Sequence, residues 1–131
     1  MSRATVLAGG RAIAEAGMVD ACTIRRNAGN VTDPDTGAST PAYSVLYTGK
    51  CRVQGSLAQA GQLSAGGDYL LMLRLEVQLP ISVTGLKAGD EITIDDAVHD
   101  PDLPGRVFRI RDLMHKTHAT ARRVGVIEKT G

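Results

Sequence analysis

Between Tyr69 and Pro80 the chain reads YLLMLRLEVQLP, and this stretch restricts the fold more than any other. Leu71, Leu73, Leu75, Val77 and Leu79 fall on one face of an extended strand, and Met72, Arg74, Glu76 and Gln78 on the other. An alternation this long predicts a β-strand with one buried face. At roughly 3.3 Å per residue it spans about 30 Å, more than a small sheet needs, so one end is expected to project as part of a hairpin or to pair with a neighbour.

Shorter alternating runs surround it. DACTIRR places Cys22 and Ile24 on one face, YSVLYTGKCRV reads as two short strands around Thr48, Gly49 and Lys50, and GLKAGDEITIDD turns Ile92 and Ile94 inward. RVFRIRDL buries Phe108 and Ile110, and RRVGVIE buries Val124 and Val126. The expectation is about seven strands in a small antiparallel β-barrel or sandwich, a mainly β fold.

One short helix precedes the strands. Leu7, Ala14 and Met18 share a stripe, Ile13 lies beside it, and Arg11 and Glu15 point away. Gly9 and Gly10 weaken this helix by about 1 kcal/mol each against Ala, so it needs docking to persist, and Gly17 suits its end. A single domain over residues 1–131 is predicted, with the helix at 1–18 and the barrel at 19–131. Mobile loops are expected at about 28–42 and 55–68, where Gly, Asn, Asp, Pro, Ser and Thr collect.

Composition removes several function classes. The aromatic residues are three Tyr and one Phe, too few for the stacking faces of single-strand nucleic-acid or sugar sites. A formal net charge of +1 gives no general attraction to DNA or anionic lipid. Cys22 and Cys51 form no CxxC pair and read as buried free thiols. Arg11 and Glu15 interrupt the only apolar run near the N-terminus, so no signal peptide or membrane span is expected and the chain is read as made in the cytoplasm.

No motif here carries a familiar chemistry. His115 and His118 are three apart and His99 lies beside Asp100, yet LMHKTHAT reads as a single turn without an HExxH frame or thiolate pair. No metal and no cofactor is predicted, and the histidines are assigned to hydrogen bonds or a subunit contact. DPDTGAST starts like a calcium loop but has Gly37 in fifth place and Ser44 at the twelfth, which suits an Asx turn. GQLSAG misses the spacing of a nucleophile elbow, and neither a dinucleotide nor a phosphate-loop fingerprint occurs. Asp95 and Asp96 are adjacent on a strand end, hence on opposite faces. The chain is therefore expected to have no catalytic residues and no enzymatic activity.

Charge is distributed unevenly along the chain. From Asp90 to Asp102 lie six acids without a base, and from Arg106 to Arg123 lie six bases with the single acid Asp112. Either both are solvated faces, or the acidic rim of one subunit meets the basic rim of the next and builds a ring. The second reading selects Asp90, Glu91, Asp95 and Asp96 against Arg106, Arg109, Arg111, Arg122 and Arg123, with His115 and His118, as a subunit interface.

MVDACTIRR, TDPDTG, YTGKCRVQ, EVQLPISVTGLKAGDEITI and HDPDLPGRVFRIRDLMHKTHATARRVGV together resemble the head-to-tail stopper, or head-closure, proteins of long-tailed phages infecting actinobacteria. The resemblance covers about Met18 to Thr130. It implies a structural virion protein of the neck: a ring, often of twelve subunits, below the portal-adaptor assembly and above the tail terminator and tail tube. Such a ring closes the filled head around packaged double-stranded DNA and docks the tail, with no membrane involved. A loop at Gly55, Ser56, Leu57, Gln59, Gly61, Gln62, Ser64, Gly66 and Asp68 becomes the candidate channel loop. It carries no base from Gly55 to Ala65, so it is expected to obstruct DNA rather than bind phosphate. Another neck or tail protein, an adaptor or tail terminator, is the nearest alternative. A nucleic-acid-binding barrel or a metal-dependent enzyme is further away.

Overall fold

A computed structural model describes residues 2–59 and 71–129. Helix α1 (Arg3–Ala16) is followed by β1 (Asp20–Thr32), β2 (Ser39–Gln59), β3 (Leu71–Leu79), β4 (Glu91–Asp96), β5 (Val107–Met114) and β6 (Arg122–Glu128). The strands close a barrel in the order β1-β2-β3-β6-β5-β4, every pair antiparallel. The small β-barrel with one N-terminal helix is thus the observed fold, with six described strands.

The interior follows from the alternation. Cys22 and Ile24, Val77 and Leu79, Ile92 and Ile94, Phe108 and Ile110, Val124 and Val126 are all buried, two from each of five strands, and Cys51 joins them from β2. With a single ring in this layer, aliphatic branches fill the barrel axis. Cys22 and Cys51 are free and fully buried, and hydrogen bonding to Cys51 together with burial pushes the Cys22 thiol well above its ordinary range. Both behave as small core hydrophobes.

β2 is one strand where two were expected. The sequence TGK looks like a turn, but Gly49 sits in the ladder opposite Cys22. The Tyr47 ring folds over Gly49, where a Cβ would approach the hydroxyl to 2.6 Å, and the hydroxyl donates to the Lys50 carbonyl at 2.8 Å. The glycine makes room for an aromatic ring instead of a bend.

The two expected loops also resolve differently. Residues 28–42 are mostly strand: β1 runs to Thr32 and β2 starts at Ser39. Between them Asp33 forms the anticipated Asx turn, its Oδ1 accepting from the Asp35 amide at 2.8 Å, while its own amide donates to the Ala38 carbonyl at 2.8 Å. Gly55, Ser56, Leu57 and Gln59 likewise belong to β2, in register with Leu75, Arg74, Leu73 and Leu71 of β3. The remainder of that predicted loop, Gly61, Gln62, Ser64, Gly66 and Asp68, lies outside the described residues.

Helix α1 lies on the barrel without burying any residue completely. Ser2 caps it by accepting from the Thr5 amide, and it ends at Gly17 as the sequence suggests, so Met18 is buried beyond the helix instead of on its stripe. The predicted stripe is kept, with Leu7 and Ala14 half-buried, but its flanks differ. Ile13 faces solvent, while Arg11 donates to the Ala119 carbonyl at 3.1 Å and Glu15 pairs with Lys50 at 3.0 Å. Gly10 permits this seat, because a Cβ there would meet the Thr120 methyl at 3.0 Å. The helix is attached through polar tethers and a close backbone approach, a weak mode of docking.

The core layer sets the main stability. Ile92→Ala removes three carbons from a fully buried site between Ile24 and Phe108. It should cost about 3 kcal/mol, seen as a lowered urea midpoint with unchanged slope.

Candidate interaction surface

β4 pairs with β1 on one side and with β5 on the other, so the acid-rich and base-rich segments become neighbours within one chain. Glu91 stands opposite Arg25 in one ladder and opposite Arg109 in the other. Of the predicted interface charges, Asp90 and Glu91 are engaged here.

Asp90 is only 2% exposed. Arg26 grips it with two bonds, Nε to Oδ1 and Nη2 to Oδ2, both 2.9 Å, and the Lys87 amide adds a third at 2.8 Å. Arg26 also donates to the Gly85 carbonyl at 2.8 Å, fastening the 80–90 connection against β1. Glu91 accepts from Arg25 at 3.0 and 3.1 Å and from Lys129 Nζ at 2.8 Å. Arg25 in turn stacks on Tyr43, 3.8 Å from the ring centroid.

The remaining predicted interface residues divide into tied and outward groups. Arg106 binds Asp102 and Glu128 of its own chain. Arg122 donates to the Val83 and Ile81 carbonyls at 2.9 and 3.1 Å and contacts His115 Nδ1 at 3.1 Å. Arg111 lies 3.4 Å from Asp112. Asp95 accepts from Thr23 at 2.6 Å, and Asp96 from the Ala97 amide at 2.9 Å, both on the exposed end of β4. Arg109 is exposed on β5 and Arg123 half-buried on β6. Asp90, Glu91, Arg106 and Arg122 are thus each engaged within the chain. Arg25, Arg26 and Lys129 were not selected from the sequence, since their partner carboxylates lie far along the chain and meet them only through strand register.

The three histidines separate. His118 lines a groove of about 430 Å³ with Arg3, Val6, Leu7, Gly10 and Thr120, whereas His99 lies in a depression with Asp20, Arg52 and Asp100. His115 borders a third with Met114 and Lys116. His118 also carries a φ of 61°, left-handed backbone within the turn joining β5 to β6. Among the described residues no three His, Cys, Asp or Glu side chains converge.

What the fold does present is a pair of ribbons. Beyond Arg25, β1 loses β4 and pairs only with β2; before Leu75, β3 loses β6 and pairs only with β2. The two ribbons leave from opposite ends of β2.

A family model spanning residues 10–127, described as a family of unknown function, DUF6093, matches the chain. The chain belongs to this family. The match takes in the second half of α1, strands β1 to β5 and β6 as far as Ile127. No curated protein matches the chain. Among the described residues no helix is long and apolar enough to cross a membrane.

Two outcomes test this description. The Asp90 carboxyl is held below its ordinary value although burial opposes this, because the Arg26 and Lys87 bonds outweigh it; Lys129 and then Arg25 lower that of Glu91 against its own burial. Their contribution to folding is complete above the ordinary carboxylate values of 3.8 and 4.5 and drains away as pH falls through the lower folded-state values. Stability should accordingly fall on acidification below about pH 5. Asp90→Ala should remove about 2 kcal/mol at neutral pH and flatten that dependence, as read by urea titrations across pH. Chelator treatment should leave the melting temperature unchanged, since the histidines occupy separate depressions.

Proposed function

We propose that this chain is a ring-forming structural protein of a phage neck, closing the DNA-filled head below the portal-adaptor assembly and docking the tail. The observation that carries the reading is β2: one continuous strand crosses the barrel and supports a ribbon at each end. A ring subunit between two assemblies must contact layers above and below while holding its neighbours, and a closed barrel with a projection at each end of one strand supplies such a part. The resemblance of the HDPDLPGRVFRIRDL and HKTHATARR segments to head-closure proteins supports the same reading.

Charge supports it in a narrower form than a contact of opposite rims. Exposed Asp95, Asp96, Arg109 and Arg111 remain as polar specificity contacts, while the buried acids act inside the subunit. The engagement of Arg106 and Arg122 within the chain also weighs against a nucleic-acid-binding barrel, which would need them as phosphate contacts.

Cryo-electron microscopy of intact virions should place this chain in a ring between the portal-adaptor assembly and the tail. Virions made without it should yield packaged heads that lose DNA and tails that fail to join. Density inside the tail tube, or tailed infectious particles without the chain, would reject the proposal.

A further inference from the structure

The outer edge of β2 departs from the usual treatment of an exposed strand. From Ser39 to Gly49 the chain carries no charged residue, and the middle of it, YSVLYT at Tyr43 to Thr48, is rich in aromatic and β-branched side chains. Val45 is 63% exposed and Leu46 37%. On one side this segment pairs with β1; on the other, β3 joins β2 only from Arg52 onward. Among the described residues no backbone hydrogen bond from another element reaches that free edge. Edge strands in soluble monomers are ordinarily protected by lysine, proline or a bulge that turns them away. Here Pro41 lies before the exposed run, and the bulge falls inside it, at Leu46, displacing an apolar side chain into solvent.

The same chain carries a matching edge. Leu71 to Arg74 of β3 continue the β2 ladder without a register shift beyond the last β3–β6 pair, Leu75 with Val126, so among the described residues no strand pairs with their other side. That segment reads LMLR, with one charge. Among the described residues two further edges are open: β1 past Arg25, broken by a shift between Asn27 and Asn30 and so a poorer template, and the side of β2 away from β3 from Arg52 onward, which adjoins the chain's own β1 end at Asp20. A net charge of +1 sets up little repulsion between copies.

We propose that the β2 edge at Tyr43–Thr48 receives the β3 edge at Leu71–Arg74 of a second copy of this chain. The two edges differ, so the contact is head-to-tail and each copy retains one free edge for the next. Main-chain hydrogen bonds supply the attraction and the uncharged side chains of YSVLYT permit the approach. This deepens the ring reading by naming its contact, yet it stands or falls in the purified protein, independent of any virion.

Sedimentation and amide hydrogen exchange, run from micromolar to millimolar concentration, test it. Self-association should grow with concentration, and amides in both 43–48 and 71–74 should gain protection together. Val45→Lys places a charge on the edge at an exposed site and should weaken association about tenfold or more, while its repulsion with Arg25 opposite lowers the melting temperature of the single chain by only a few degrees. Val98→Lys, at an exposed loop position away from both edges, should associate as the parent does. A chain that stays monomeric throughout, or a Val45→Lys variant that associates unchanged, overturns the proposal. Protection at 43–48 alone in a two-copy particle overturns it as well, in favour of a symmetric pairing of β2 edges. A failure here leaves the neck reading to be judged by virion density, and absence from the neck leaves this contact to be judged by sedimentation.

Discussion

The barrel depends on how it closes. β1 and β4 are separated by more than half the chain, and the ladder between them covers only Ala21 to Arg25 against Glu91 to Asp96. Such a distant pairing has the largest loop-closure cost and a ladder of only five residue pairs to offset it. Asp90 and Glu91 stand at that seam, and each takes two bonds from an arginine of β1, Arg26 spanning both Asp90 oxygens and Arg25 converging on Glu91 Oε2. The ion pairs act as register pins: a slip of one residue would leave two carboxylates half-buried without their cations and turn Ile92 and Ile94 outward. The apolar layer rewards closure, and the charged pairs decide where it occurs.

Once the seam is fixed, the ribbons follow geometrically. A barrel of tilted strands has finite height, and β2, at 21 residues, is longer than that height requires. Its two ends must leave the wall, each carrying a stretch of the strand it pairs with. Closure removes the edges of the barrel itself, so the open edges of the described chain are concentrated where β2 and its partners extend beyond the wall. Surface for partners is in this sense a product of strand length, not of a pocket.

The strands of the wall were legible because each has one wet and one dry face: the alternation of Ile92 with Ile94, Phe108 with Ile110, Val124 with Val126, and Val77 with Leu79 has the period of the pleat. The ribbons were not legible for the same reason inverted. Asn27 to Thr32 and Ser39 to Ser44 have no fully buried face, so selection for alternation is absent and a polar, glycine-bearing sequence looks like a loop. Gly49 was misread because a glycine under a tyrosine ring and a glycine at a turn are identical letters. The helix and its Leu7–Ala14 stripe were legible, but not that Arg11 and Glu15 join the same side to reach the carbonyl of Ala119 and the amine of Lys50, contacts that hydrophobic periodicity does not describe.

Charge shows a related limit, with a consequence for function. Runs of six acids and six bases suggested two rims because sequence order keeps them apart, whereas antiparallel pairing of β4 with β5 lays the two segments side by side. The two buried acids are nevertheless met from β1, by Arg25 and Arg26, and by Lys129, at no cost in translational freedom, before any neighbour can compete. What is left for assembly is then mainly uncharged backbone edge, with exposed Asp95, Asp96 and Arg109 around it. An interface of that kind would be directional and depend on geometry more than on ionic strength, which suits the head-to-tail contact proposed above.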